Sequence, residues 1–256
     1  MILTIDIGNS NIVIGGVEGE EIRFEARLRT EATKTSDQYC VDLKILLDVY
    51  KVPQECIEGC IIASVVPQVL NSMQTAVKKL TGKNPLVVGP GLKTGLNIKI
   101  ENPAQTGADL VVGCVAALRE HKPPMIVIDM GTATTMVVLD ESGALIGGCI
   151  CPGVKISMDA LTERTALLPG LQLDQPKKAI GRNTIDCMRS GIMLGAACML
   201  DGMVERMEAE LGSKTTVIAT GGIGKFITPL CKTPMVYDKD LLVKGLATLY
   251  RENKRS

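Results

Sequence analysis

Aromatic side chains are scarce: the 256 residues include no tryptophan, two phenylalanines and four tyrosines. Base-stacking platforms need such rings. A formal net charge of zero also supplies no electrostatic footprint for a phosphate backbone, so nucleic acid is not an expected partner. Histidine is limited to His121. Nine cysteines are present, but no C-x-x-C pair. Cys149-x-Cys151 and the Cys56/Cys60 spacing lack the companion pair that a zinc site needs. The cysteines read as reduced, small core residues of a cytoplasmic protein. No apolar run approaches the length of a membrane span, and the N-terminus reads as a strand with an early aspartate, not as a signal peptide.

What the chain does contain is 46% hydrophobic residues, enough for a sizeable core in one large domain or two similar lobes. The organising stretch is Thr4-Ile5-Asp6-Ile7-Gly8-Asn9-Ser10-Asn11-Ile12-Val13. An apolar run delivers an aspartate, then a glycine-bearing polar turn, then a second apolar run. The pattern is a β-hairpin with a carboxylate near the end of its first strand. Gly8 lets backbone N–H groups approach a bound group, and Asp6 suits the Mg²⁺ that accompanies a phosphate chain. An ordinary structural hairpin fits the same residues.

The pattern then recurs. Ile128-Asp129-Met130-Gly131 aligns with Ile5-Asp6-Ile7-Gly8, 123 positions further on, and is followed by Thr132-Ala133-Thr134-Thr135 and another apolar run. Each copy next reaches a turn, expected at residues 15–19 and 140–143, and a further strand. Two unrelated hairpins would need a coincidence in both motif and flanks, so the chain reads as duplicated. Between the copies, Ile22 to Arg29 alternates as a third strand. Ser36-Asp37-Gln38 opens a helix with apolar positions at Tyr39, Val41, Leu43, Leu46 and Leu47. A buried strand from Cys60 meets Pro67, a helix spans roughly 69–80, and a short strand covers 85–88. The second half repeats this plan and reaches a strand at 215–220 that ends in Gly221-Gly222.

This order resembles an α/β architecture of two ribonuclease-H-like lobes, each a mixed five-stranded sheet flanked by helices, as in the actin, sugar kinase and Hsp70 group. The lobes are expected at 1–115 and 116–256. In that group the two hairpin turns hold phosphates, and a late Gly-Gly turn, here Gly221 and Gly222, receives the nucleoside.

Between the repeats, residues 101–110 open a helix expected to run to about His121, with Pro103 at its start and Thr106 as its cap. Its apolar face is Leu110, Val111, Cys114, Val115 and Leu118. Asp109 falls in the first turn, where the helix dipole favours the ionised form. It is either a capping residue or the base for a substrate hydroxyl. His121 reads as a surface residue at the helix end. Arg164 is either a surface charge or a phosphate contact, and residues 251–256 read as a solvated tail.

Asp6-Ile-Gly8-Asn9-Ser10, Asn102-Pro103 leading to Gly107-Ala108-Asp109, Asp129-Met-Gly131-Thr132, Gly147-Gly148-Cys-Ile-Cys-Pro152-Gly153, and Gly181-Arg182-Asn183-Thr184 with Ser190-Gly191-Ile192 occur in this order. As an ordered set spanning nearly the whole chain, they resemble the type III pantothenate kinases. The resemblance implies ATP-dependent phosphorylation of pantothenate, the first step of coenzyme A synthesis, by a cytoplasmic homodimer that needs Mg²⁺ and K⁺ or NH₄⁺. It implies ATP binding by Asp6, Ile7, Gly8, Asn9, Ser10, Asn11, Ile12, Val13 and Thr132, with Mg²⁺ on Asp6 and the monovalent cation on Asp129. Asp109 becomes the proton acceptor. Ile100, Gly107, Ala108, Asp109, Leu110 and Thr184 become the pantothenate contacts, Thr184 from the partner subunit. Many relatives have arginine at position 110 and tyrosine at position 100, where this chain has Leu110 and Ile100. That departure keeps two alternatives in view: a kinase of the same fold for another hydroxyl compound, and a non-catalytic accessory relative.

Overall fold

A computed structural model describes residues 1–254 as two compact units. The first contains Met1–Leu96, Asn102–Arg119 and the residues from Leu241 on. Its sheet begins with β1 (Ile2–Ile7), β2 (Asn11–Glu18) and β3 (Glu21–Arg29), an antiparallel meander. β4 (Gly59–Ser64) pairs with β1 in parallel and β5 (Leu86–Val87) with β4, giving the order β3-β2-β1-β4-β5.

Alternation along β1 serves two apolar layers. Leu3, Ile5 and Ile7 join a core with Tyr39, Leu43 and Leu47 of α1 (Ser36–Val49) and Val69, Met73 and Val77 of α2 (Pro67–Thr81). The buried residues of α1 recur every four positions, and Val41, 56% exposed, lies off that stripe. Thr35 caps α1 in a reciprocal capping box with Gln38. Pro67 opens α2 in the first helical turn, and Gly82 closes it with φ 70°.

The intervening residues of the same sheet lie against α7 (Leu241–Lys254). A Cβ on Gly15 would come within 2.6 Å of Thr4 Oγ1 and 2.7 Å of Val243, and one on Gly59 would strike the Tyr250 ring. Gly15 and Gly16 are therefore strand residues of β2, not the start of the expected turn, which forms at Gly19 with φ 58°. The expected tail is likewise corrected. Residues 251–254 are the last turn of α7, where Asn253 Nδ2 donates to the Lys93 carbonyl at 2.7 Å. Arg255 and Ser256 lie outside the described residues.

The second unit contains Asn97–Glu101 and Glu120–Asp240. β6 (Met125–Met130), β7 (Ala133–Leu139) and β8 (Leu145–Pro152) form the meander. β9 (Thr216–Thr220) pairs with β6 in parallel, and β10 (Val236–Tyr237) with β9. The order β8-β7-β6-β9-β10 repeats the first sheet strand for strand. α4 (Val154–Glu163), the long α5 (Thr184–Leu211) and the short α6 (Gly224–Ile227) flank it. α5 is long and apolar enough to cross a membrane by length and composition. Its Met193, Ala197, Leu200 and Val204 nevertheless belong to the core of this unit, with Ile126 and Ile128.

The two halves differ in one register detail. Gly8, Asn9, Ser10 and Asn11 separate the paired Ile7 and Ile12, whereas only Gly131, Thr132 and Ala133 separate the paired Met130 and Thr134. The second turn is one residue shorter, so the gapless match ends at the glycine. The compact units also cross a division at 115/116. Tyr250 and Val243 draw α7 to the first sheet, while Lys99 N–H donates to the Leu145 carbonyl and Leu145 N–H to the Asn97 carbonyl, holding residues 97–101 to the second. Thr35→Ala removes the acceptor for the Gln38 amide and is expected to lower stability by about 1 kcal/mol in urea denaturation.

Candidate active site

In the first unit, β1 carries Asp6 to its last-but-one position, paired with Val13 on one side and Ala63 on the other. The following turn is closed by Gly8 N–H donating to the Asn11 carbonyl at 3.0 Å. Thr30, at the end of β3, clamps it twice: its hydroxyl donates to the Gly8 carbonyl at 2.7 Å, and its N–H to the Ser10 carbonyl at 3.1 Å. The carbonyls of Gly8, Ser10 and Asn11 thus accept from within the protein, and the side chains of Asn9, Ser10 and Asn11 are exposed. Ile12 is buried and Val13 half-buried in β2. Nothing in the sequence beyond a polar loop marked Thr30 for this task.

The segment before Asp109 departs from expectation. Pro103 opens a separate 3-10 turn, Pro103–Gln105, and α3 (Ala108–Glu120) starts only afterwards. Thr106 does not cap α3. Its N–H donates to the Pro103 carbonyl at 3.2 Å, and its hydroxyl is buried with no hydrogen-bond partner. Asp109, in the first turn, accepts the Leu110 N–H on Oδ1 at 2.8 Å. Gly107 makes room for that carboxyl, since a Cβ there would strike Asp109 Oδ1. Burial raises the Asp109 pKa above the ordinary carboxyl value, against the opposing pull of the Leu110 and Asp109 amides. Desolvation therefore outweighs these hydrogen bonds, and the shift runs opposite to the one expected from the helix terminus. A half-buried carboxyl that holds its proton more tightly than usual is a better proton acceptor than an ordinary aspartate. His121 lies just beyond α3 and is half-buried.

In the second unit, β6 carries Asp129 to the equivalent position, between Thr135 and Thr220. Three glycines crowd this strand end. Gly221, with φ 92°, would place a Cβ 2.7 Å from Asp129 Oδ1 and 2.5 Å from the Met130 carbonyl. The Tyr237 hydroxyl donates to the Gly221 carbonyl at 3.0 Å and fixes it. Gly153, which precedes α4, would drive a Cβ into the Thr132 carbonyl and to 2.7 Å from that of Gly131. Gly131 N–H donates to the Ala133 carbonyl at 3.0 Å and closes the turn. The structure thus gathers Asp129, Gly131, Thr132, Gly153 and Gly221 at one strand end. Pro152-Gly153 belongs to the ordered motif set read from the sequence, whereas Tyr237 does not. Gly147 and Gly148 are strand residues of β8; a Cβ on Gly148 would strike the Met136 carbonyl. Gly222 is exposed beside Gly221.

Ile100 is half-buried in the stretch attached to the second sheet. Thr184 is the exposed first residue of α5, whose cap Asn183 accepts the Asp186 N–H at 2.9 Å. Arg164 is exposed at the C-terminal end of α4. The anticipated residues are divided between the units, with residues 6–13 and 107–110 on the first and Ile100, Asp129, Thr132, Thr184, Gly221 and Gly222 on the second.

The family described as "Type III pantothenate kinase" matches residues 2–206. A type III pantothenate kinase of Halalkalibacterium halodurans is 43% identical over 253 residues, covering 99% of this chain and 100% of that protein. One from an Exiguobacterium species is 42% identical over 255 residues, covering 100% of both. Among solved structures, a putative Baf family transcriptional activator from Campylobacter jejuni superposes with TM-score 0.63 at 17% identity, covering 99% of this chain and 100% of that one. A putative 2-dehydro-3-deoxygalactonokinase from Sinorhizobium meliloti gives TM-score 0.60 at 14% identity, covering 98% and 96%. These structures share the fold of two mixed five-stranded sheets flanked by helices.

The raised Asp109 pKa has a measurable consequence. The folded state keeps its proton after the unfolded chain has lost its own, so the stability contributed by the neutral carboxyl is full below the ordinary value of 3.8 and is lost as pH rises through the folded value. Asp109→Asn, which cannot ionise, is expected to melt no lower than the parent at neutral pH, with the difference in its favour opening across that window. Melting temperatures over a pH series check this.

Proposed function

The chain belongs to the type III pantothenate kinase family, and we propose that it transfers the γ-phosphoryl group of ATP to the primary hydroxyl of pantothenate, giving 4'-phosphopantothenate, the first step of coenzyme A biosynthesis. The observation that carries this reading is the pair of Asp-x-Gly strand ends, Asp6 to Gly8 and Asp129 to Gly131, set on two sheets of identical strand order. Phosphoryl transfer asks a protein mainly to position its reactants and to offset charge. The turn at residues 6–13 is assigned to the ATP phosphates, Thr132 to ATP, and Gly221 with Gly222 to the nucleoside. Asp109 takes the proton of the acceptor hydroxyl, and residues 107–110 line the acceptor.

Asp6 is assigned to Mg²⁺, and Asp129 to K⁺ or NH₄⁺. A single carboxylate at a strand end suits a Mg²⁺ that keeps phosphate oxygens and water as its other ligands, and the backbone carbonyls close to Asp129 suit an oxygen-lined monovalent site. Bound Mg²⁺ would offset the charge of the phosphate chain.

We assign the active species as a homodimer. α5 supports this: Gly191, Gly195 and Cys198 lie exposed along one of its faces, and a Cβ on either glycine would meet nothing within 4 Å. A mid-helix glycine costs roughly 1 kcal/mol relative to alanine, and close helix packing against a second copy offsets that cost. A cytoplasmic location fits nine free cysteines.

Leu110 and Ile100, in place of arginine and tyrosine, motivate a second reading in which the acceptor is a different hydroxyl compound. We favour an apolar lining that takes the same acceptor; a pantothenate-soaked crystal with no ligand near these two residues would count against it.

Purified protein with ATP, Mg²⁺ and pantothenate is expected to yield a product heavier by one phosphoryl group, more of it with K⁺ or NH₄⁺ present, and at least about 100-fold less with Asp109→Asn. ATP binding without product would favour another acceptor or an accessory role. Light scattering is expected to return twice the 27.3 kDa chain mass.

A further inference from the structure

Thr106 carries a buried hydroxyl that the fold does not use. Its backbone is accounted for, since the N–H closes the 3-10 turn on the Pro103 carbonyl. Its Oγ1 is shielded from solvent and has no donor or acceptor in reach. Leaving a buried hydroxyl unpaired is unfavourable, and such groups in native proteins call for a specific reason. The obvious structural reason, capping α3, does not apply, because the amide of Leu110 is taken by Asp109 Oδ1. Valine has the same shape and would fill the position without that penalty.

We infer that the Thr106 hydroxyl is a positioning group for the phosphoryl acceptor, making its hydrogen bond to an uncharged polar group of that molecule, a hydroxyl or amide, beside the hydroxyl served by Asp109. The inference rests on the reading of residues 107–110 as the acceptor site. Three features fit it. Thr106 directly precedes Gly107, whose missing Cβ makes room for the Asp109 carboxyl. The residue lies in the short link between the 3-10 turn ending at Gln105 and the helix starting at Ala108, so main-chain hydrogen bonding on both sides holds it in place. A hydroxyl both donates and accepts, as a neutral partner requires. Its role is binding and orientation, and proton removal stays with Asp109.

The test compares wild type with Thr106→Val and Thr106→Ser, measuring melting temperature in the absence of substrates and steady-state kinetics with pantothenate and ATP. Thr106→Val is expected to melt at or above the wild-type temperature, because it removes an unpaired buried hydroxyl. Its KM for pantothenate is expected to rise about threefold to tenfold, with KM for ATP unchanged. Thr106→Ser is expected to restore the pantothenate KM to within about twofold. A lower melting temperature for Thr106→Val would show that the hydroxyl is bonded within the folded protein and would overturn the inference. So would an unchanged pantothenate KM, or a raised KM that serine does not restore. Absence of product from the wild-type protein would instead overturn the assignment of the acceptor, and this inference with it.

Discussion

Each sheet has a central strand hydrogen-bonded on both sides, antiparallel to its hairpin partner and parallel to a crossover strand. That two-sided pairing is the constraint on which the rest depends. It fixes the strand end in space, so the aspartate one residue before that end has no freedom in where its carboxylate begins. It also makes the two flanking connections converge there. In the first unit these are the turn after β1 and the segment after β4, where Val65 N–H donates to the Ile7 carbonyl at 3.0 Å. In the second they are the turn after β6 and Gly221 after β9. Backbone packed this closely has no space for Cβ atoms, which is why glycine recurs at 153 and 221.

Much of this was legible in the residues. The Asp-x-Gly strand ends, the duplicated meander and the parallel strands at 60 and 215 all have short-range signatures: alternation, a glycine at a turn, an apolar run stopped by proline or glycine. The errors came where tertiary packing overrides a local signal. Gly15-Gly16 looks like a turn, yet the pair exists to admit Thr4, Val243 and Phe24 against β2. Val41 keeps a plausible helical phase but misses the stripe defined by Tyr39, Leu43 and Leu47. The last turn of α7 has charged residues that read as a tail, and only its distant partners, Lys93, Gly19 and Glu20, show that it is anchored. Thr30 and Tyr237 had no local signature, because their partners lie far away in sequence.

Asp109 shows a different limit. Its sequence position identified the residue but not the direction of its pKa shift, because burial and the neighbouring amide hydrogen bonds act in opposite directions and only coordinates give their balance. Neither Asp109 nor Thr106 optimises the fold. One keeps a carboxyl where water is scarce, and the other keeps a hydroxyl without a partner. Residues that cost stability without a packing return are where function and folding part company.

The placement of α7 has a consequence for biogenesis. The strands of the first sheet leave the ribosome well before the helix whose Val243 and Tyr250 lie against Gly15 and Gly59. The whole of the second unit is translated in the interval. One face of β1, β2 and β4 therefore waits for its cover while more than half of the chain is made, and the nascent protein completes its first sheet after its second. Domains that emerge first usually fold first; here the order of synthesis and the order of completion are reversed.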